Sequence, residues 1–410
     1  MRILALGMHA VAEGELSYEA RSIHHIANMG HHVDYWTDNI MDYSMEPVLK
    51  KPSTLRNFMF YEGARALQAT PRRFHPKDLQ KIFRENQVAQ PWAAGSDPYD
   101  VIYSTATTGI DMGVFLRDML EIPLVVQWLD IPYWRLDPML NDEIYKHSPI
   151  HLPILPKEMF DAYQNEWAYW FSNLPNIDLV STILQVTKGQ LLEYAKRFNA
   201  PLAPEKVHVT YHGSIDADTL DYVLASEAVE KKNQVICVNR IDFHKGVDQT
   251  LLAAKMIQDR VPNPPEFVFV SRGNAQWYEN MIQEMAKAML KRVVFTGWVD
   301  NMTKFRLIRE SKVMLDCEWP EGFGGCNIGE AIYCGCVPVV WNRKSKEECY
   351  PTGAVRVPLD DYESMAEAAA RVLTKGEFPI TENDRKFVRE FRSIESHAKG
   401  LVEAFEKVVK

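Results

Sequence analysis

The chain is poor in cysteine and contains no long hydrophobic run. Only six of its 410 residues are cysteine, and five of those follow residue 300, so they do not form the distributed framework of a disulfide-stabilised protein. No apolar stretch approaches the ~18 residues of a membrane-spanning helix. The sequence therefore predicts free thiols in a reducing cytoplasm and no transmembrane segment.

Positive charge is also in the minority. There are 46 Lys and Arg against 55 Asp and Glu, a formal net charge of −9, which argues against a protein that coats nucleic acid with its whole surface. The length exceeds a single core and fits two domains of about 200 residues each. The opening MRILALGMHA has one Arg before a strand-like run, so we expect a first strand rather than a signal peptide.

Cysteine and histidine cluster in the sequence without the spacing of a metal site. The clustered cysteines fit no familiar zinc knuckle, so we expect no metal there: Cys317, Cys326, Cys334, Cys336 and Cys349. Four histidines flank a predicted helix end at Gly30, and we expect them in solvated or turn positions: His24, His25, His31 and His32.

Predicted strands alternate with amphipathic helices along the chain. The first set comprises 2–7, 33–37, 100–104, 123–128, 178–183 and 207–211, with a helix over 17–29. The second set comprises 234–239, 266–271, 293–296, 313–316, 337–340 and 354–357. This rhythm predicts an α/β fold of parallel, doubly wound sheets. We expect a first domain over 1–213 with a less regular basic insertion at 40–97, a second over 214–380, and C-terminal helices over 381–410.

Two cations follow the first strand of the second set. Arg240 comes just past the strand, and Lys245 lies five residues further on, before Gly246 and a predicted helix. Ligands of doubly wound domains collect at carboxyl strand ends. Two cations beside a helix N-terminus suit a diphosphate, and they stabilise its charge as it leaves without a metal. The alternative is a pair of surface side chains around an ordinary strand–helix turn.

The next strand ends carry further candidates. Arg272 and Gly273 begin the turn after 266–271, as ligand contacts or as plain turn residues. Trp298 and Val299 follow 293–296, where a nucleobase can stack or form hydrogen bonds. The alternative for Trp298 is core packing.

A glycine-rich turn opens the segment PEGFGGCNIGEAIYCGCVPVVW at residues 320–341. Glycines let backbone N–H groups approach a polar ligand closely. A carboxylate accepts two hydrogen bonds at once, so Glu330 suits the vicinal hydroxyls of a ribose, or else it complements a helix N-terminus. The rest of the turn is a candidate for the hydroxyls of a transferred sugar: Glu321, Gly322, Phe323, Gly324 and Gly325.

In this order, the motifs resemble the second domain of the large retaining GT-B glycosyltransferase family, group 1, which uses nucleotide-sugar donors. That family has Gly-Arg…Lys-Gly, Asn-Gly-x-Asp, Gly-His-Glu-Val and Glu-Gly-Phe-Gly…Glu-Ala…Cys-Gly-x-Pro-Val-Val motifs. The matching residues here are Asn239-Arg240 with Lys245-Gly246; His212, Gly213 and Asp216; Gly30–Val33; and Glu321–Val340. The resemblance covers most of the chain, excepting 40–97.

The resemblance implies two Rossmann-like domains facing a cleft and a metal-independent hexosyl transfer with retention. A UDP- or GDP-sugar is then the substrate, and no cofactor is required. Arg240 and Lys245 are implied to bind the diphosphate, Glu330 the ribose, and Glu321 with the glycine turn the sugar. Asp130 stands where the family often has a His-Asp pair and is the catalytic candidate there. The family's last helix crosses back to the first domain, which suits 381–410. Eight residues separate Glu321 and Glu330, against seven in the family.

The sequence leaves the acceptor open among a glycan, a small molecule, an anionic lipid surface and DNA. From Lys50 to Arg84 there are nine Lys or Arg against two acids, with interleaved aromatics. This composition suits nucleic-acid phosphates or lipid headgroups, or a solvated insertion. The run from Cys334 to Trp341 also resembles bacteriophage enzymes that glucosylate modified DNA bases. Two other classes stay open, a nucleotide-sugar epimerase of GT-B fold and an inactive nucleotide-sugar binder.

Overall fold

The computed structural model describes residues 1–7, 11–12, 15–37, 39–44, 46, 48–59, 99–129, 157–226, 228–319 and 324–409. These residues divide into two units. Unit 1 contains the described residues of Met1–Ile131, Asp161–Gly213 and Ile394–Lys410, and unit 2 contains those of Pro132–Phe160 and Ser214–Ser393. No helix among the described residues is long and apolar enough to cross a membrane.

Unit 1 is built on a parallel sheet. Its described strands are β1 (Arg2–Leu6), β2 (Val11–Ala12), β3 (Glu15–Leu16), β4 (His32–Thr37), β5 (Leu55–Met59), β6 (Val101–Ser104), β7 (Leu124–Trp128), β8 (Leu179–Thr182) and β9 (Val207–Val209). Seven of them form the parallel sheet in the order β5-β4-β1-β6-β7-β8-β9, while β2 and β3 pair as a small antiparallel ribbon. The central strands β1, β6 and β7 are buried along almost their whole length because both faces of the sheet are covered. They are mostly apolar, although Ser104 and Gln127 are buried with them.

The edge strand β5 corrects the sequence prediction. The segment was expected to be irregular, yet Leu55–Met59 pairs in parallel with β4. Arg56 lies on this strand and its guanidinium contacts the buried carboxylate of Asp34 at 2.6 Å. An edge strand pairs with one neighbour and is more exposed to solvent than a central strand, so it tolerates polar residues. Those polar residues interrupt the hydrophobic pattern from which a strand is predicted.

Among the described residues before Gly213, the helices are α1 (Tyr18–Asn28), α2 (Ile110–Leu120), α3 (Lys157–Ser172) and α4 (Gln185–Arg197). Helix α1 begins where Ser17 accepts a hydrogen bond from the Ala20 N–H at 3.1 Å. His24 and His25, expected to be solvated, are buried instead on the inner side of α1. The His24 ring satisfies both nitrogens locally, with Tyr43 Oη at 3.0 Å and Asn28 at 2.8 Å.

Unit 2 is built on a second parallel sheet. Its described strands are β10 (Gln234–Val238), β11 (Glu266–Val270), β12 (Val293–Gly297), β13 (Val313–Asp316), β14 (Val337–Trp341) and β15 (Val355–Val357), in the order β12-β11-β10-β13-β14-β15. All these pairings are parallel. Numbered within the unit, the order is 3-2-1-4-5-6, which is that of a Rossmann fold. The doubly wound α/β prediction is confirmed.

The later helices are α5 (Ala217–Ser226), α6 (Val247–Arg260), α7 (Gln276–Met289), α8 (Asn301–Glu310), α9 (Cys326–Tyr333), α10 (Lys344–Cys349), α11 (Tyr362–Lys375), α12 (Glu382–Arg392) and α13 (Ile394–Glu406). Helix α12 remains with unit 2, whereas α13 belongs to unit 1. There its apolar face joins the core formed by α1 and β1, through Ala398, Leu401, Ala404 and Phe405.

Aromatic residues fill both cores. Trp128 is fully buried in unit 1, with its ring centroid 5.3 Å from that of Phe171. Trp341 is fully buried in unit 2 and meets Tyr362 edge-on at 5.7 Å. Trp341 therefore packs as a core residue and is not available to an acceptor. All six cysteines are unpaired, and five of them are buried.

Candidate functional site

The chain segments that follow β10 and β13 meet where the strand order of unit 2 reverses. Strands β10 and β13 are neighbours, but β11 and β12 lie on the far side of β10. Asn327, in the first turn of α9, joins the two strand ends. Its Nδ2 donates to the Val238 carbonyl at 3.1 Å and to Asp316 Oδ2 at 2.9 Å. In open α/β sheets, ligands bind in the crevice at this position.

A buried ion pair lies at the end of β13 in this region. Lys346 Nζ lies 2.6 Å from Asp316 Oδ1, and the two side chains are only 3% and 0% exposed. Burial by itself raises the pKa of Asp316, but the charge and hydrogen bond of Lys346 outweigh it and lower the pKa to about 2. Asp316 is therefore ionised, and its carboxylate contacts the Lys346 side chain within the frame that carries the strand ends.

Lys245 lies on a short 3₁₀ turn, Phe243–Lys245, that leads into α6. The next residue, Gly246, has φ of +62°, and a Cβ there would lie 2.0 Å from the Cys317 carbonyl oxygen. Only glycine permits this close approach of the loop to the end of β13. The Lys245 ammonium forms an ion pair with the Glu318 carboxylate. Burial lowers the pKa of Lys245, but the charge and hydrogen bond of Glu318 outweigh that effect and raise it.

Arg240 lies on the same loop and is much more open. Its side chain is 52% exposed, and its Nε is 3.6 Å from Asp242 Oδ2. Asp242 also accepts hydrogen bonds from the backbone N–H of Asn274 at 3.0 Å and from its side chain at 3.1 Å. The Arg240 guanidinium is thus held loosely at the carboxyl edge of the sheet, where it can reach an anion.

The loops after β10, β11 and β12 are tied to one another. Ile241 N–H donates to the Arg272 carbonyl at 3.1 Å, and Ser271 N–H donates to the Gly297 carbonyl at 2.9 Å. A Cβ on Gly273 would lie 2.5 Å from the Ile241 carbonyl oxygen, so glycine allows these loops to pack. The Arg272 side chain stays exposed beside this packed turn.

Trp298 lies just after β12 and is 40% exposed. The alternative that it packs in the core is therefore wrong. Its neighbour Val299 is partly exposed. An exposed aromatic ring at a carboxyl strand end offers a flat surface to a base.

Glu330 is the fifth residue of α9 and lies beyond the first turn of the helix. The alternative that it is an N-terminal charge is wrong. Its Oε1 accepts a hydrogen bond from Lys304 Nζ of α8 at 2.7 Å, and the two side chains are 11% and 21% exposed. The carboxylate retains acceptor capacity beyond this one contact, since an ionised carboxylate has about four lone-pair sites.

The end of the glycine-rich turn has backbone angles that require glycine. Gly324 and Gly325 have φ of +78° and +84°, and a Cβ on Gly324 would lie 2.3 Å from Cys349 Sγ. Tyr350 Oη donates to the Gly325 carbonyl at 2.7 Å, which secures the entry to α9. The remaining candidates fall outside the described residues: Asp130, Glu321, Gly322, Phe323 and residues 60–84 of the basic segment.

The structure places the described candidates of the second domain along the carboxyl edge of one sheet. Position after successive strands was enough to identify the loops and the cations on them. It was not enough to identify the charged residues that pair with one another there, which include Lys304, Asp316, Glu318 and Lys346. Each of these meets its partner from a different loop or helix, so nothing in the sequence spacing signals the contact.

Comparison with known families agrees with this geometry. The sequence model described as "Glycosyl transferases group 1" matches residues 223–390, which is most of unit 2. The chain is a glycosyltransferase with a group 1 domain. No curated protein sequence matches the chain.

Solved structures support the fold of this glycosyltransferase over its whole length. Sucrose-phosphate synthase from Thermosynechococcus elongatus superposes with a TM-score of 0.65 at 18% identity, covering 99% of this chain and 98% of that one. HepE from Anabaena, in complex with UDP and glucose, gives 0.64 at 16% identity, with 98% and 99% covered. A UDP-forming trehalose-phosphate synthase from Burkholderia xenovorans gives 0.67 at 13% identity, with both chains fully covered. The chain thus has the GT-B fold of two Rossmann-like units.

Proposed function

We propose that this glycosyltransferase moves a hexosyl group from a UDP-sugar to an acceptor hydroxyl with retention of configuration. The observation that carries the proposal is the placement of Arg240 and Lys245 on one loop, at the reversal of strand order in unit 2. The choice of donor is supported by similar folds solved with UDP and glucose or with UDP-2-fluoro glucose. Retention is proposed from the family resemblance of the motifs.

The reaction needs charge stabilisation at the leaving group. The bond from sugar C1 to the β-phosphate oxygen breaks and a bond from C1 to the acceptor oxygen forms. The proton of the acceptor hydroxyl passes to the departing β-phosphate oxygen. Negative charge grows on the diphosphate as it leaves. Arg240 and Lys245 are the cations that we assign to that position, where they stabilise this charge more in the transition state than in the bound donor.

The other candidates are assigned to the remaining parts of the donor. Trp298 and Val299, with Arg272 and Gly273 beside them, contact the nucleobase. Glu330 accepts hydrogen bonds from the ribose hydroxyls. The glycine turn presents N–H groups to the sugar, through Glu321, Gly322, Phe323, Gly324 and Gly325. Asp130 is proposed as a catalytic residue because it stands where the family often has a His-Asp pair.

We propose that unit 1 selects the acceptor and that the chain acts in the cytoplasm, the latter on the strength of its unpaired cysteines. Lys50–Arg84 is positively charged within a chain whose net charge is −9. This local positive charge favours a polyanionic acceptor, with DNA as the candidate. DNA binding should then weaken steeply as salt rises from 50 to 200 mM, by about 10³-fold for six or more phosphate contacts. Binding that salt does not affect would remove this acceptor.

Nucleotide binding tests the donor. The melting temperature and calorimetric titrations should be recorded with UDP, GDP and ADP, because a ligand that binds only the folded chain raises its melting temperature. We expect UDP to bind most tightly. Transfer from UDP-glucose to an acceptor panel, with the product anomer read by NMR, then tests the reaction.

The competing classes give different results in the same experiment. Turnover of a UDP-sugar to its epimer without an acceptor would identify an epimerase. Binding of UDP-sugar with no turnover across the panel would identify an inactive binder. No binding of any nucleoside diphosphate would overturn the proposed function.

A further inference from the structure

The Lys245–Glu318 ion pair has a consequence for donor affinity. Lys245 is the cation assigned to the diphosphate, yet its ammonium already contacts a carboxylate, and the two side chains are only 20% and 15% exposed. Arg240, its partner in the proposed site, is 52% exposed and only loosely paired. The two cations therefore differ in availability: an incoming anion can reach Arg240 directly, whereas at Lys245 it meets a competitor.

Two hydrogen bonds hold the backbone of Glu318 in place within unit 2. Its backbone N–H donates to Asp316 Oδ1 at 3.0 Å, and its carbonyl accepts from Lys346 Nζ at 3.4 Å. Both contacts come from the buried Asp316–Lys346 pair, which has almost no exposure. The buried pair thus holds the Glu318 backbone while its carboxylate points to Lys245. Such an arrangement is costlier to disturb than a chance contact between two surface side chains.

A diphosphate and a carboxylate are both anions, so they compete for one ammonium. When the donor binds, the Glu318 side chain must turn away from Lys245 or remain beside a like charge, and either outcome weakens donor binding. We propose that Glu318 is an internal competitor of the nucleotide diphosphate. It sets the affinity for the donor, and its ion pair with Lys245 forms again when the nucleoside diphosphate leaves. This inference rests on the proposed function, because it requires Lys245 to bind the diphosphate.

The expected kinetic signature is a change of KM and kcat in the same direction. A neutral residue at 318 leaves Lys245 free for the diphosphate, so donor and product both bind more tightly and KM falls. Product then leaves more slowly, and where release limits turnover kcat falls too. Loss of a merely structural contact would instead raise KM or leave it unchanged.

The test is Glu318→Gln, with calorimetric titration of UDP, UMP and uridine. We expect UDP to bind about 10-fold more tightly than to the wild type, a change equal to ~1.4 kcal/mol. Uridine has no phosphate and should bind with unchanged affinity, and UMP should fall between. Glu310→Gln is the matched control, since Glu310 pairs with Lys232 at 2.6 Å on the same unit and should leave UDP affinity unchanged.

Two further variants keep the test decisive. Glu318→Ser removes the same charge with a smaller side chain, should Glu318→Gln fold poorly. In a Lys245→Met background, Glu318→Gln should change UDP affinity less than twofold, because the two residues act through one contact. A folded Glu318→Gln that binds UDP no more tightly than the wild type would overturn the inference alone. If neither the wild type nor Glu318→Gln binds any nucleoside diphosphate, the proposed function fails and this inference fails with it.

Discussion

The ammonium group of Lys346 lies 2.6 Å from Oδ1 of Asp316, and neither side chain is more than 3% exposed. Asp316 ends β13 and Lys346 lies on α10, so the contact joins a strand end to a helix across the sheet edge. The same carboxylate accepts hydrogen bonds from Asn327 and from the Glu318 N–H. One buried carboxylate therefore joins the turns on which the residues proposed to bind the nucleotide-sugar lie.

Removing one partner of this pair should strongly destabilise the chain. Lys346→Met leaves the Asp316 carboxylate buried without a counter-charge, and we expect a loss of about 3–5 kcal/mol in the free energy of unfolding. Urea denaturation followed by circular dichroism measures the loss. Lys232→Met is the control, because that ion pair is largely exposed at Lys232 and should contribute less than about 1 kcal/mol. Equal losses in the two variants would contradict this account.

Removing either of the cations proposed to bind the diphosphate should slow transfer. Arg240→Ala and Lys245→Ala should each lower kcat/KM at least 100-fold, about 3 kcal/mol of transition-state stabilisation. The measurement is steady-state transfer from a UDP-sugar. Arg292→Ala is the control, since Arg292 is exposed just before β12, where it pairs with Glu266 at 3.5 Å. Rates near wild type in both test variants would refute the assigned roles.

Gly246 should tolerate no side chain. Its φ of +62° and the 2.0 Å approach of a Cβ to the Cys317 carbonyl combine backbone strain with a steric clash. We expect Gly246→Ala to lower the free energy of unfolding by about 2–4 kcal/mol. Gly376 has nearly the same φ, +63°, but nothing within 4 Å, so Gly376→Ala isolates the backbone effect at about 1 kcal/mol. Thermal melts of the two variants should differ accordingly, and an equal shift would show that the loop moves away freely.

Acid should destabilise unit 1 through His397. Its Nδ1 contacts the Tyr211 carbonyl at 2.8 Å and its Nε2 contacts Gln127 at 2.9 Å. Burial lowers the pKa of His397 to about 4, against 6.5 for the free side chain, although the Tyr211 and Thr210 backbone groups act in the opposite direction. Between these values the unfolded chain binds a proton that the folded chain does not, so stability falls as the pH drops from 6.5 to 4.

The full loss amounts to about 3 kcal/mol, from 1.36 kcal/mol per pKa unit. Urea midpoints at pH 7, 5.5 and 4.5 measure it, and His397→Gln should flatten the dependence in this window. A wild-type midpoint that stays constant from pH 7 to 4.5 would contradict the prediction. The corresponding loss at Asp316 lies at lower pH, because its pKa is already about 2 in the folded chain.

Sequence reasoning located the strands well where they are buried. The predicted 234–239 and 313–316 correspond to Gln234–Val238 and Val313–Asp316. Strands covered on both faces are continuous apolar runs, which stand out from their surroundings. The edge strand Leu55–Met59 was missed because its Arg56 and Asn57 interrupt that pattern. The buried His24 and His25 were missed because a histidine does not mark the inner face of a helix.

By itself the sequence determined which loops lie at the carboxyl edge of the second sheet. Parallel strands linked by helices all end at one edge of a sheet, so residues that follow successive strands, such as Arg240 and Trp298, share that edge whatever the strand order. Only the tertiary structure decided which charges face each other. Lys245 and Glu318 are 73 residues apart, and Lys346 and Asp316 are 30 apart. Their pairing depends on strand order and on distances of a few ångströms between packed elements, which no sequence spacing encodes.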